Sequence, residues 1–235
     1  MVAWLLVFAR CAGFVFRAPG FSHPSIPVPL RAGFAAALAM ALTHSGVAST
    51  TVDGAAAIAA MAFEFSIGSA LGMAAALLYD AAYAGGRAVD DYVGVRAIAP
   101  SVVLVAPSGF GRVWSLAFTG AFFLSGAYRI VLLNFAQSFA RIPSGAIVTP
   151  AQWGTFAATF FSSFVAIAAE IAAPAIGVAF VVQVAVGALA RVVPRFGSVT
   201  LAFPLAFAAA LIVTALTVPA IAVRMRAPVA LDLVP

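Results

Sequence analysis

Six runs of apolar residues follow one another along the chain, each closed by proline, glycine or arginine. Val2–Phe16 ends at Arg17, Pro19 and Pro24, and Ala32–Val47 begins after Pro27, Pro29 and Arg31. Ala55–Tyr79 is the third. A polar interlude, Asp80–Arg112, then carries Arg87, Asp90, Asp91 and Arg96, with Pro100 and Pro107 behind them. Val113–Phe139 is closed by Arg141 and Pro143. Thr155–Ala190 comes next, and Val199–Val223 precedes a short tail with Arg224 and Arg226. Runs this long and this apolar predict helices that face lipid or other apolar protein rather than water.

Not every run is a simple span. Val2–Phe16 and Ala32–Val47 are about 15 residues each, below the roughly 17–25 that a bilayer needs. Thr155–Ala190 would extend about 54 Å as one helix, and Pro174 near its middle predicts a kink or a break. The expected fold is all-α: a single helical membrane domain over residues 1–235, polytopic, with broken or kinked helices and helical hairpins. Helices of such uneven length suit a bundle that rests partly on other proteins.

Composition sharpens this reading. Hydrophobic residues make up 65% of the chain and charged ones 8%, where soluble domains carry roughly 25% charged residues. Mean hydropathy is +1.15. So few charges cannot cover a water-facing surface. The net charge is +5 and all twelve basic residues are arginine. They stand singly between apolar runs, whereas nucleic-acid binding needs them clustered on one face, so no nucleic-acid partner is expected. With six passes, the junctions after runs one, three and five hold Arg17, Arg31, Arg87, Arg96, Arg112, Arg191 and Arg195. The opposite side holds Arg141, Arg224 and Arg226. The positive-inside rule then places the arginine-rich side in the cytoplasm and both termini outside it.

Candidate chemistry is sparse. Cys11 is the single cysteine, which excludes an internal disulfide and a cysteine-based metal cluster. Phe8-Ala9-Arg10-Cys11 is not read as a lipoprotein cleavage site, because Arg10 stands where a small residue is needed and Met1–Val7 carries no basic residue. The first run is expected to stay in the mature protein. Charges inside apolar runs are the default functional residues of a membrane protein; here they are Glu64, Arg129 and Glu170. Their scatter over separate runs favours structural partners at helix interfaces over a proton relay. Gly68 and Gly72 form a GxxxG step close to Glu64, a face on which another helix backbone can approach. His23 and His44 are not spaced as a metal pair. The chain has no lysine for a phosphate loop. Gly109-Phe110-Gly111 lacks the context of a dinucleotide turn. No cofactor, no metal and no enzyme activity are expected. Composition alone would also permit a secondary transporter or a structural membrane scaffold, but Pro174 marks one candidate broken helix and no matching partner appears in the first half.

Five stretches add a resemblance. They are Arg10-Cys-Ala-Gly13 followed by Ala18-Pro19, Ser22, Ile26-Pro27 and Arg31; Glu64 with Gly68 and Gly72; Gly86 to Gly94 with Asp90 between; Ser138-Phe139 leading to Pro143-Ser-Gly145; and Gly187, Arg191, Pro194 and Phe203-Pro204. In this order they resemble the FliR/SctT family of flagellar and injectisome export gates, over residues 10–204. The pattern departs at Arg195, Gly197, Ala202, Ala206 and Tyr92, and the stretch from Gly94 to Ala106-Pro107 is longer than the family's. The resemblance implies a helical subunit of the type III protein export gate, in the bacterial inner membrane at the base of a flagellum or injectisome. It implies FliP-like and FliQ-like partners, an FlhB-like subunit beside them, and unfolded flagellar or effector proteins as cargo in a gated channel. Three sets of residues are then singled out. Pro100, Val102, Val103, Leu104, Val105, Pro107 and Gly109 are candidates for a plug or constriction. Glu64, Gly68, Gly72, Gly86, Asp90 and Gly94 are candidates for helix packing and assembly. Arg191, Pro194, Arg195, Phe203 and Pro204 are candidates for a cytoplasmic loop that meets partners.

Overall fold

The computed structural model describes residues 2–23, 25–46, 55–94, 109–193 and 199–224. Every regular element among them is a helix: α1 (Val2–Arg17), α2 (Val28–His44), α3 (Ala55–Val93), α4 (Gly109–Leu124), α5 (Ala127–Arg141), α6 (Pro150–Val192) and α7 (Val199–Arg224). The all-α, polytopic membrane fold expected from the sequence is what the chain adopts. Helices α3 and α6 are each long and apolar enough to cross a membrane, and the bent pair α4–α5 adds a third span if taken as one.

Three expectations about the elements need correction. The third helix does not end with its apolar run at Tyr79 but continues through the start of the polar interlude to Val93. Ala81, Ala82, Gly85, Gly86, Val89, Asp90 and Val93 are buried while Asp80, Arg87 and Asp91 face outward, which is the 3.6-residue stripe of an amphipathic helix. The fourth run is not continuous. It breaks at Ser125–Gly126, where Gly126 takes the left-handed conformation (φ +73°) and opens α5, a backbone that glycine adopts without steric cost. Of the kink or break expected at Pro174, the break does not occur: α6 is one helix of 43 residues with Pro174 inside it. A proline removes one intrahelical hydrogen bond, whereas unwinding a turn in apolar surroundings would strand several backbone groups.

The chain divides into two compact units. The first holds α1, α2, α3 as far as Leu77, α5 and the start of α6 to Phe161; the second holds α3 from Leu78, α4 to Phe122, α6 from Ser162, and α7. In the first unit α1 and α2 pair as a hairpin. Pro27 precedes α2 and Pro29 stands in its first turn, a position that needs no N–H. Val7, Cys11, Phe14 and Val15 of α1 meet Ala35, Ala39 and Leu42 of α2 and Phe135 and Phe139 of α5, with Phe14 stacked on Phe135 at 4.2 Å. The second unit buries Val89, Val93 and Phe110 with Ala172, Ala175, Ala179, Ala206 and Ala210. Alanine on α6 and α7 lets those helices come close.

Candidate functional site

The first unit is organised around one charge. Arg10, in the middle of α1, is fully buried, and so is Glu64 on α3. The guanidinium meets the carboxylate as a fork, Nε donating to Oε2 and Nη2 to Oε1, the latter at 3.0 Å. Nη1 donates to the Ile142 carbonyl at 2.8 Å and to the Ser138 carbonyl at 3.4 Å. The Phe139 ring lies under the guanidinium, 4.2 Å from its centre. Glu64 Oε1 also accepts the Gly145 N–H at 2.7 Å. One ion pair therefore ties α1, α3, the end of α5 and the turn before α6. Burying two charges is costly, and the cost is met only when both are paired and hydrogen-bonded; here four of the five arginine N–H groups are used.

This geometry needs α1 and α3 to touch at the backbone, and three glycines allow it. A Cβ on Gly68 would run into the Arg10 carbonyl, with Arg10 Cα at 3.0 Å; one on Gly72 would lie 2.7 Å from the Phe14 carbonyl oxygen; one on Gly13 would lie 2.8 Å from the Ser69 nitrogen. The Gly68/Gly72 face is thus occupied by the chain's own first helix rather than left open for another subunit.

A second constellation lies in the other unit. Asp90, buried in the last turn of α3, accepts the Phe110 N–H through both carboxylate oxygens at 3.1 and 3.3 Å. The carboxylate caps the start of α4, where unpaired N–H groups and the helix dipole favour negative charge. Gly86 lets α4 approach: a Cβ there would sit 2.5 Å from the Gly111 nitrogen. Gly94 has a different task. At φ +87° it ends α3, its N–H donating to the Asp90 carbonyl at 3.1 Å. Phe110 packs on Phe207 at 5.3 Å, and Phe207 on Phe203 at 5.9 Å.

The stretches singled out in the sequence gather in these two places. Arg10 and Gly13, Glu64 with Gly68 and Gly72, and Ser138 to Gly145 meet at the ion pair. Gly86 and Asp90 meet Phe110, with Phe203 nearby through Phe207. Arg191 is exposed in the last turn of α6 and Pro204 is exposed on α7. Gly109 opens α4 beside Asp90, 3.5 Å from a Cβ built on it. Pro100, Val102, Val103, Leu104, Val105, Pro107, Pro194 and Arg195 lie outside the described residues. Arg129 is exposed in the first turn of α5 and Glu170 is exposed on α6, so neither joins Glu64. Arg10 carries the same kind of signal as those three charges, being an arginine at the centre of the apolar run Val2–Phe16. Among the described residues no group of three or more His, Cys, Asp or Glu could hold a metal, and the Arg10–Glu64 pair is enclosed by α1, α3 and the end of α5. It binds helices together.

Comparison with known proteins agrees with the resemblance. The flagellar biosynthetic protein FliR of Bacillus subtilis (strain 168) is 27% identical over 238 residues, covering 95% of this chain and 89% of that protein. The flagellar biosynthetic protein FliR of Aquifex aeolicus (strain VF5) is 25% identical over 232 residues, covering 96% and 88%. The family described as bacterial export proteins, family 1, matches residues 1–230. A match over nearly the whole length makes this protein a component of protein transport. The chain belongs to the bacterial export proteins, family 1.

Proposed function

We propose that the protein is a subunit of a type III export gate in the bacterial inner membrane, where it completes, with FliP-like and FliQ-like subunits and an FlhB-like neighbour, a gated channel for unfolded proteins. The observation that carries this reading is the match to two flagellar biosynthetic proteins over 95% and 96% of the chain. Helix α6 supports it. Its 43 residues extend about 65 Å, twice the roughly 30 Å of a bilayer's hydrocarbon core. Phe161, Val165, Phe180, Val181, Val184 and Val192 are exposed along it. Lipid covers only part of such a face, and apolar helices of other subunits would cover the rest.

In this reading the uncharged segment Ser101-Val-Val-Leu-Val-Ala106 is the constriction, since apolar narrowings gate by dewetting. Affinity purification of the tagged protein from membranes tests the assignment. FliP-like and FliQ-like subunits should come with it, and a protein recovered alone would refute the reading. In that complex, deleting Val102–Val105 should make cells leak small ions; an assembled and tight deletion mutant would remove the constriction from the proposal.

A further inference from the structure

Helix α1 is a poor candidate for entering a membrane by itself. It has 16 residues, about 24 Å of helix against a hydrocarbon core of roughly 30 Å. At its centre stands Arg10, and an arginine there disfavours insertion by roughly a hundredfold. Helix α3 differs: it is long and apolar enough to cross on its own, even with Glu64 near its start. The structure joins the two by independent means. The Arg10–Glu64 fork neutralises the charge that keeps α1 out of lipid, and Gly13, Gly68 and Gly72 provide a seam at which the backbones touch. Phe139 and the carbonyls of Ser138 and Ile142 finish the enclosure of the guanidinium.

We propose that α1 is not placed across the membrane independently but is carried in by α3, with the Arg10–Glu64 pair as the determinant of pairing. Because Glu64 follows Arg10 by 54 positions, α1 has to wait at the membrane surface until α3 has been made. Its crossing is then a late step of biogenesis.

The test reads the side of the membrane on which each end of α1 lies. The full chain, in a Cys11→Ala background, is synthesised in the presence of inner-membrane vesicles with one cysteine, either Val2→Cys or Ser25→Cys. Labelling uses a membrane-impermeant maleimide immediately after synthesis. In the parent chain the two positions should lie on opposite faces. Glu64→Leu should put both on the same face in most chains, cutting the ratio of crossed to uncrossed α1 by roughly tenfold or more. Arg10→Leu with Glu64→Leu, and the exchange Arg10→Glu with Glu64→Arg, should restore opposite faces. A role in folded stability alone would lower the survival of Glu64→Leu chains without moving the labels. Opposite-face labelling in Glu64→Leu overturns the proposal. So does same-face labelling in the parent chain, or failure of the double leucine variant to restore crossing.

Discussion

Replacing Gly68 with alanine adds one methyl group at the place where α1 and α3 are closest. The new Cβ would lie 2.8 Å from the Arg10 carbonyl carbon and 3.0 Å from Arg10 Cα, where carbon atoms pack best at roughly 3.5–4.0 Å. Both neighbours are backbone, so the helix as a whole must move, by at least about half an ångström. That movement carries Arg10 out of register with the Glu64 fork. Overpacking costs about 1–3 kcal/mol, and a misaligned charged hydrogen bond about 1.5–3 kcal/mol. Alanine's better helix propensity returns about 1 kcal/mol. The net loss should be about 1.5–5 kcal/mol. The reference is Gly33→Ala in α2, where a Cβ meets nothing within 4 Å and propensity alone should stabilise by about 0.5–1 kcal/mol. Thermal unfolding of the purified protein in detergent, followed by loss of helical circular dichroism, separates the two. If Gly68→Ala melts at or above the temperature of Gly33→Ala, the close seam and the reasoning built on it are wrong.

Other perturbations reach the remaining features. Asp90→Ala leaves the buried Phe110 N–H without its acceptor and should cost about 1–3 kcal/mol; Asp90→Asn keeps an oxygen there and should cost less in the same melting experiment. Gly126→Ala has open space around the new methyl, so its cost is the left-handed backbone alone, about 1–2 kcal/mol; a neutral result would mean that the α4–α5 bend does not need that conformation. A dual reporter fused after Pro235 should be active outside the cytoplasm if the arginine asymmetry sets orientation, and cytoplasmic activity would discard the six-pass arrangement.

Much of the fold is legible because lipid-facing helices have simple rules. Each apolar run becomes a helix, and the run Val113–Phe139 becomes two. What misleads is reading by hydropathy alone. Asp80 ends an apolar run but not a helix, because the buried stripe from Ala81 to Val93 continues with the same period. Pro174 leaves a kink and a break both open in the sequence, and the helix runs unbroken through it. Gly126 gives no warning, being one glycine among nineteen, and nothing in the sequence marks it as the site of a bend. At the ion pair, Glu64, Gly68 and Gly72 stand out as a charge and a small-residue step on one face. That α1 occupies this face is a long-range fact, set by Arg10 more than fifty residues away, and no local pattern encodes it. The same holds for Asp90, whose partner is a backbone N–H and so has no signature in the sequence.

The Asp90–Phe110 bond has a further consequence for how the chain tolerates change. It joins positions 20 residues apart, so the chain between them closes a ring through this one bond. Once the two ends are fixed, extra length within the ring no longer shifts the helices that bear them. For a flexible connection between two fixed ends, doubling the length costs only about 0.6 kcal/mol of closure entropy. The number of residues between Gly94 and Gly109 could therefore change while α3 and α4 keep their register. Asp90 is then the residue that any change in that length should leave untouched.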